Sequence, residues 1–244
     1  MTYLSAAPPL LVRDARIAYG DRLVARDLTL EFPAGRTTCL LGRSGVGKTS
    51  LLRWLAGLLP GAERPQPVAY MAQSDLLMPW LSVLDNVLLG YRLRGEGAAL
   101  AAAEPRARAL LAEVGLSDRQ ADRPANLSGG MRQRAALART LCEDRPVVLM
   151  DEPFAHLDAV TRLELQDLAA RLLAGRTAVL VTHDPLEALR VGHHIRVLSG
   201  TPFVMSSAID PPGAVPRDET DPRVIGLHAR LVGELRGLAS SPAA

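Results

Sequence analysis

The sequence predicts an α/β fold with a mostly parallel sheet core, antiparallel strands at the N-terminus and an all-helical subdomain in the middle. Three observations carry this. Short apolar runs alternate with stretches whose apolar residues recur at three- and four-residue spacing, the pattern of strands and helices in turn. Gly42–Thr49 spells G-x-x-x-x-G-K-[ST] between a strand-like and a helix-like stretch, where a phosphate-binding loop belongs. From about residue 74 to 142 there are helix signals only.

Taken in order, Leu10 to Tyr19 reads as a strand and Gly20-Asp21 as a turn. Arg26 to Phe32 alternates apolar and polar residues, a strand with one buried face. After the turn Pro33-Ala34-Gly35, Thr37 to Leu41 is a buried strand, and Ser50 to Leu58 a helix. Pro60 to Pro67 is a loop and Val68 to Met71 a short strand. Ser82 caps a helix running to about Tyr91, and Gly95-Glu96-Gly97 ends it. Ala98 to Val114 is helical with Pro105 as an interruption or restart, and Ser117 to Arg123 is a short helix. Ser128 caps a helix from Gly129 to Cys142. Strand Val147–Met150, helix Ala159–Leu173, strand Thr177–Thr182 and helix Asp184–Val191 follow. His194–Leu198 and Phe203–Ser206 are late strands, Asp210–Asp221 is a Pro-rich loop, and Arg223–Leu238 is a closing amphipathic helix. The expectation is a single domain over 1–244: a core at about 10–73 and 143–208, a helical subdomain at 74–142, and a C-terminal helix at 222–238.

The chain has 244 residues, an apolar fraction of 48% and a net charge of +2, with Arg interspersed among Asp and Glu. A large core is possible, and no basic footprint points to nucleic acid as a partner. Two cysteines, Cys39 and Cys142, sit in apolar runs and read as free thiols. The N-terminus lacks a basic stretch followed by an apolar core, and no run of about 18 apolar residues occurs. The expected protein is soluble and cytoplasmic, reaching a membrane only through a partner.

In the loop Gly42, Arg43, Ser44, Gly45, Val46, Gly47, Lys48, Thr49, the glycines let backbone N–H groups converge on phosphate oxygens at a helix N-terminus, with Ser50 following. Lys48 is the only lysine in the chain. A compact ammonium fits such a cradle where a planar guanidinium does not. Lys48 is expected to reach the β- and γ-phosphates and Thr49 to place its hydroxyl on Mg²⁺. Val147-Val148-Leu149-Met150-Asp151-Glu152-Pro153 delivers two carboxylates to a strand tip. Asp151 suits the Mg²⁺ shell, and Glu152 suits polarising a water. Ser128-Gly129-Gly130 opens a helix and makes a second phosphate-facing N-terminus; read alone it is a plain helix cap. With one nucleotide per chain, the second site faces the nucleotide of another copy.

The P-loop, Leu127-Ser128-Gly129-Gly130-Met131-Arg132-Gln133-Arg134 and Leu149-Met150-Asp151-Glu152-Pro153 together resemble the nucleotide-binding subunit of an ATP-binding-cassette (ABC) transporter, over about residues 10 to 200. The resemblance implies a P-loop NTPase of ABC type that binds ATP and Mg²⁺ and works as a dimer, sandwiching two ATP between the P-loop of one copy and the Ser-Gly-Gly of the other. It implies that Tyr19 stacks on adenine, that Gln73 senses Mg²⁺ and the attacking water, and that Asp158 lies in a loop crossing the dimer interface. It implies Glu152 as general base and His183 as the group contacting the γ-phosphate. His156 departs from the family pattern, where a small residue is commoner. His193, His194 and His228 match no family position.

Leu76-Leu77-Met78-Pro79-Trp80-Leu81-Ser82-Val83-Leu84-Asp85-Asn86-Val87, with its Leu-x-Pro-Trp-Leu-x-Val-x-x-Asn-Val pattern, is similar to importers of nitrate, sulfonate, taurine and thiamine-precursor pyrimidines. Phe154–Arg162 fits the same group. Within it, Tyr70–Leu77 and Asp184–Arg190 look most like the hydroxymethylpyrimidine type. The resemblance thus implies an importer for a thiamine precursor, with taurine, sulfonate or nitrate as the alternative. Its partners would be integral membrane permease subunits, docked through the loop around Pro79-Trp80, and indirectly a substrate-binding protein, at the cytoplasmic face of the inner membrane. A non-transport cassette ATPase is the alternative of a different class.

Overall fold

A computed structural model describes residues 7–20, 22–62, 67–95 and 97–240. The expected turn at Asp21, the break at Glu96, residues 63–66 of the Pro60–Pro67 loop and the first six residues fall outside these.

Two antiparallel strands, β1 (Leu10–Tyr19) and β2 (Arg22–Phe32), form a separate ribbon. The main sheet contains β3 (Thr37–Gly42), β4 (Val68–Met71), β5 (Val147–Asp151), β6 (Thr177–Thr182), β7 (His194–Gly200) and β8 (Phe203–Met205). Its spatial order is β4-β5-β6-β3-β7-β8, with every pairing parallel except β7–β8. Helix α1 (Lys48–Leu55) follows β3. Between β4 and β5 lie α2 (Val83–Val87), α3 (Leu89–Leu93), α4 (Gly97–Glu113) and α5 (Gly129–Cys142). Helices α6 (Ala159–Leu172) and α7 (Pro185–Val191) follow β5 and β6, and α8 (Pro222–Ser240) closes the described chain.

The central strands are buried along their whole length. Their side chains alternate between two cores, as a period of two requires. Cys39, Leu41, Val148, Met150, Ala178 and Leu180 pack with α4, α5 and α7 residues on one face. Leu40, Val147, Leu149, Val179 and Val181 pack with α1 and the β1–β2 ribbon on the other. Because β3, β4, β5 and β6 run parallel, the residues that follow each of them emerge at one edge of the sheet.

Several elements depart from the sequence expectation. β2 starts at Arg22 rather than Arg26. The ribbon's register shifts at Val12/Ala15 and again near Ile17, with Asp14 and Asp27 at φ 46 and 50. Bulges break the alternation by which a strand is read. The helix expected from Ser82 to Tyr91 divides at Leu88 into α2 and α3. Fully buried Asn86 lies just ahead of the division, its side-chain nitrogen donating to the carbonyls of Met78 and Ser82 at 3.1 and 3.0 Å. Helix α4 runs unbroken through Pro105. Pro105 and Ala101 are both exposed, so the helix bears the proline on its solvent side, where an unpaired carbonyl costs least. The short helix expected over Ser117–Arg123 is a single 3-10 turn, Ser117–Arg119, and a second such turn, Pro124–Asn126, was not expected.

Candidate functional site

The P-loop leaves β3 at Gly42 and enters α1 at Lys48, two residues earlier than the apolar spacing alone suggests. Two of its glycines are there for space and conformation. Gly47 caps α1 at φ 116, and a Cβ there would lie 2.5 Å from Val24 Cγ1; Gly45 has φ 80. Lys48 is only 5% exposed. Its Nζ donates to the carbonyls of Gly42 (2.7 Å) and Arg43 (3.0 Å), which turns the ammonium back across the loop. Burial holds its pKa below the ordinary lysine value, and the carboxylates of Glu152 and Asp151 oppose that shift. Arg43, Ser44 and Gly45 are exposed. Tyr19, exposed at the end of β1, lines a shallow pocket with Val24, Gly45, Val46, Gly47, Ser50 and Thr201. An aromatic ring therefore stands beside the phosphate loop, where a base can stack.

Asp151 ends β5 and is 2% exposed. Thr49 donates its hydroxyl to Asp151 Oδ1 at 3.1 Å. Burial pushes the Asp151 carboxyl above its ordinary pKa, with the Thr49 bond working against the rise. A hydroxyl and a buried carboxylate side by side are the hard oxygen donors Mg²⁺ prefers. No group of three or more His, Cys, Asp or Glu capable of holding a metal occurs among the described residues.

Glu152 follows with φ 46, a left-handed conformation rare for a residue with a side chain. Its N–H is held by Val181 O at 2.9 Å, so the neighbouring strand fixes the turn. Gln73 Nε2 donates to Glu152 Oε2 at 3.3 Å, and His183 Nδ1 lies 3.2 Å from Glu152 Oε1. Both carboxylate oxygens thus have a partner, one from the segment after β4 and one from the end of β6. His156 also sits at φ 62, and His is one of the residue types that enter this region more readily.

Ser128, Gly129, Gly130 and Asp158 are brought together with each other. Ser128 Oγ caps α5 by accepting from Met131 N at 3.3 Å, and Asp158 Oδ1 caps α6 by accepting from Thr161 N at 3.0 Å. That acceptor role lowers the Asp158 pKa. The two helix starts touch: a Cβ on Gly130 would meet Thr161 Cγ2 at 2.5 Å. Helix α5 also reaches the rest of the site. Gln133 Nε2 donates to Pro153 O at 2.6 Å, Arg132 pairs with Asp75, and Arg139 Nη1 donates to Leu76 O at 2.7 Å.

The ABC transporter family profile matches residues 25–155, more than half of the chain. The chain belongs to the ABC transporter family. This ABC cassette is 42% identical, over 94% of its own length and 94% of the relative's, to the aliphatic sulfonates import ATP-binding protein SsuB 1 of Paracoccus denitrificans (strain Pd 1222). It is 40% identical, over 93% and 87%, to SsuB 2 of Burkholderia cenocepacia (strain HI2424). Among solved structures it resembles the dimeric post-hydrolysis state of the ATP-binding cassette MJ0796 bound to ADP and Pi. That likeness has a TM-score of 0.69 and 25% identity, over 85% of this chain and all of the other. The ABC fold and an ATP-hydrolysing cassette are thereby shown.

Sequence reading did not find Thr182, Glu187, Arg162 or Gln133, which hold the site residues from behind. Their signal was faint: Thr182 and Glu187 flank His183 five residues apart, and their meeting depends on the turn into α7.

Proposed function

We propose that this cassette is the ATP-hydrolysing subunit of an importer for an aliphatic sulfonate or a related small anion. The observation that carries the reading is the 42% identity, along nearly the whole chain, to an aliphatic sulfonates import ATP-binding protein. The sequence expectation of a hydroxymethylpyrimidine-type precursor finds no support in that comparison, and the sulfonate, taurine or nitrate alternative takes its place. No helix among the described residues is long and apolar enough to cross a membrane. As an import ATP-binding subunit like that relative, it would act at the cytoplasmic face with permease subunits, and through them with a substrate-binding protein. Trp80, 67% exposed, and exposed Leu76 form the apolar surface those subunits would meet.

In this reading the P-loop N–H groups and Lys48 hold the phosphates, Tyr19 carries the adenine, and Thr49, Asp151 and Gln73 face Mg²⁺. The ion supplies charge neutralisation at the β- and γ-phosphates. A water oxygen attacks the γ-phosphorus and its proton passes to a Glu152 carboxylate oxygen. The bond to the β–γ bridging oxygen breaks, and ADP leaves with the electron pair. Gln73 and His183 orient the carboxylate from its two sides. Ser128, Gly129, Gly130 and Asp158 complete the site of a second copy.

The test is uptake of labelled alkanesulfonate, taurine, nitrate and pyrimidine precursor by cells lacking this gene, complemented with the native chain or Glu152→Gln. Sulfonate uptake should vanish, return with the native chain and stay absent with Glu152→Gln. The purified variant should bind ATP yet hydrolyse it at least about 10²-fold slower, the usual contribution of a positioned base. Loss of pyrimidine uptake alone would overturn the substrate, and unchanged uptake of all four would favour a non-transport cassette.

A further inference from the structure

Thr182 is the last residue of β6, so its hydroxyl stands one residue before His183. That hydroxyl donates to Glu187 Oε2 at 2.5 Å and accepts from the Asp184 N–H at 3.0 Å. The backbone that carries His183 is therefore gripped by one hydroxyl, and the hydroxyl is held by Glu187. Glu187 is 6% exposed and lies in the first turn of α7. Its other oxygen is 3.9 Å from Arg162 Nε. Arg162 in turn donates through Nη2 to Leu157 O at 3.0 Å, and its Nη1 is 3.8 Å from Asp184 Oδ2. Leu157 belongs to the turn that leaves Glu152 and ends at the α6 cap, Asp158. The contacts close a circuit: Glu152, His183, Thr182, Glu187, Arg162, Leu157 and back along the chain to Glu152.

One member of this circuit is incompletely satisfied. Arg162 Nε is buried and has no hydrogen-bond partner. Its approach to Glu187 is an ion pair about 1 Å longer than a hydrogen bond. Leu157 O holds the same guanidinium through Nη2, so the turn helps to set how close Nε comes to Glu187. The strength of the grip on His183 thus depends on where that turn lies.

We propose that Glu187 and Arg162 are positioning residues for ATP hydrolysis, tying His183 to the Leu157–Asp158 turn so that the histidine is set beside Glu152 only when the turn is in place. Neither touches nucleotide; each acts through another group. This inference rests on the reading of Glu152 and His183 as the hydrolytic pair. It adds that the turn facing the second copy and the γ-phosphate histidine move as one unit. A buried carboxylate with a purely structural role would show itself in stability and leave turnover intact.

The test uses the full chain. Glu187→Gln keeps the shape and an acceptor for the Thr182 hydroxyl while removing the charge that faces Arg162. Arg162→Met keeps most of the apolar stem at a partly exposed side chain, where folding is least at risk. Each should lower kcat about tenfold, as the loss of an orienting partner behind a reacting group does. KM for ATP and the Kd of a non-hydrolysable analogue should change by less than about twofold. The double variant should be no slower than the slower single, because both break one circuit. Singles within about twofold of the native kcat would overturn the proposal, as would losses that multiply in the double variant. Glu152→Gln measured alongside separates the two levels. If it is inactive while the Glu187 and Arg162 variants are normal, only this inference fails; if it turns over normally, the hydrolytic reading fails and this falls with it.

Discussion

Gly130→Ala probes the one place where the Ser-Gly-Gly helix start and the α6 start are pressed together. The added methyl would lie 2.5 Å from Thr161 Cγ2, with Thr161 Oγ1 at 3.9 Å. Carbon atoms rest at about 3.5–4.0 Å, so the β-branched Thr161 side chain must turn or the two helix starts must part by roughly 1 Å. Strain of this kind costs about 1–3 kcal/mol, and each 1.4 kcal/mol is a factor of ten. On the proposed reading that Ser128 and Asp158 face a second copy, a strain of that size felt at their spacing lowers turnover by about 5- to 150-fold. ATP binding to the P-loop of the same chain should stay within about twofold, since the strained contact is between Gly130 and Thr161 and touches no P-loop residue. Thr161→Ser supplies the control: it removes the offending methyl and keeps the backbone N–H that Asp158 caps. Gly130→Ala with Thr161→Ser should recover to within about threefold of the native rate. Steady-state ATPase and analogue titration read both quantities. Full activity in Gly130→Ala, or no recovery in the pair, would refute the reasoning.

Two further predictions concern the scaffold. Arg217 is buried and donates to four carbonyls: Leu189 (2.8 Å), Gly192 (2.7 Å), Pro211 (2.7 Å) and Pro212 (2.8 Å). Arg217→Met should cost about 3 kcal/mol and lower Tm by about 6–12 °C by scanning calorimetry; a shift under about 2 °C would show that the segment is held by other means. Thr37 N donates to His193 Nδ1 at 3.1 Å, and burial pushes that imidazole from 6.5 down to about 4. The native state keeps His193 neutral, so its contribution is complete above the ordinary value of 6.5 and is lost as pH falls toward 4. Denaturant titrations between pH 4 and 7 should show this slope in the native chain and a flatter one in His193→Gln; identical slopes would remove His193 from the account.

The P-loop and the Asp151-Glu152 tip were legible because each couples an unusual residue pattern to an apolar run that fixes where it lies in the sheet. Gly42–Thr49 needs no distant contact to be recognised. The ribbon was less legible, since Asp14 and Asp27 at positive φ interrupt the alternation that marks a strand. Helix α4 hid its continuity behind Pro105, whose cost depends on exposure and not on sequence. The layer behind the site was the least readable. Arg162 and Glu187 meet only after α6 and α7 pack, and no local spacing announces a pair formed by two helices on different strands.

The sheet order also has a consequence during synthesis. β3 carries the P-loop, yet its two neighbours are β6 and β7, which end at Thr182 and Gly200. A ribosome adding 5–20 residues per second takes roughly 10–30 s to travel from Gly42 to Gly200. Until Thr182 is made the phosphate loop hangs from a strand without a partner on either side, and the β7 side stays open until Gly200. The nascent chain therefore cannot assemble a nucleotide site early and refine it later. It acquires the site late, when the last third of the chain emerges and slots in around a strand made long before, and until then Cys39, Leu40 and Leu41 are apolar surface for a chaperone to shield.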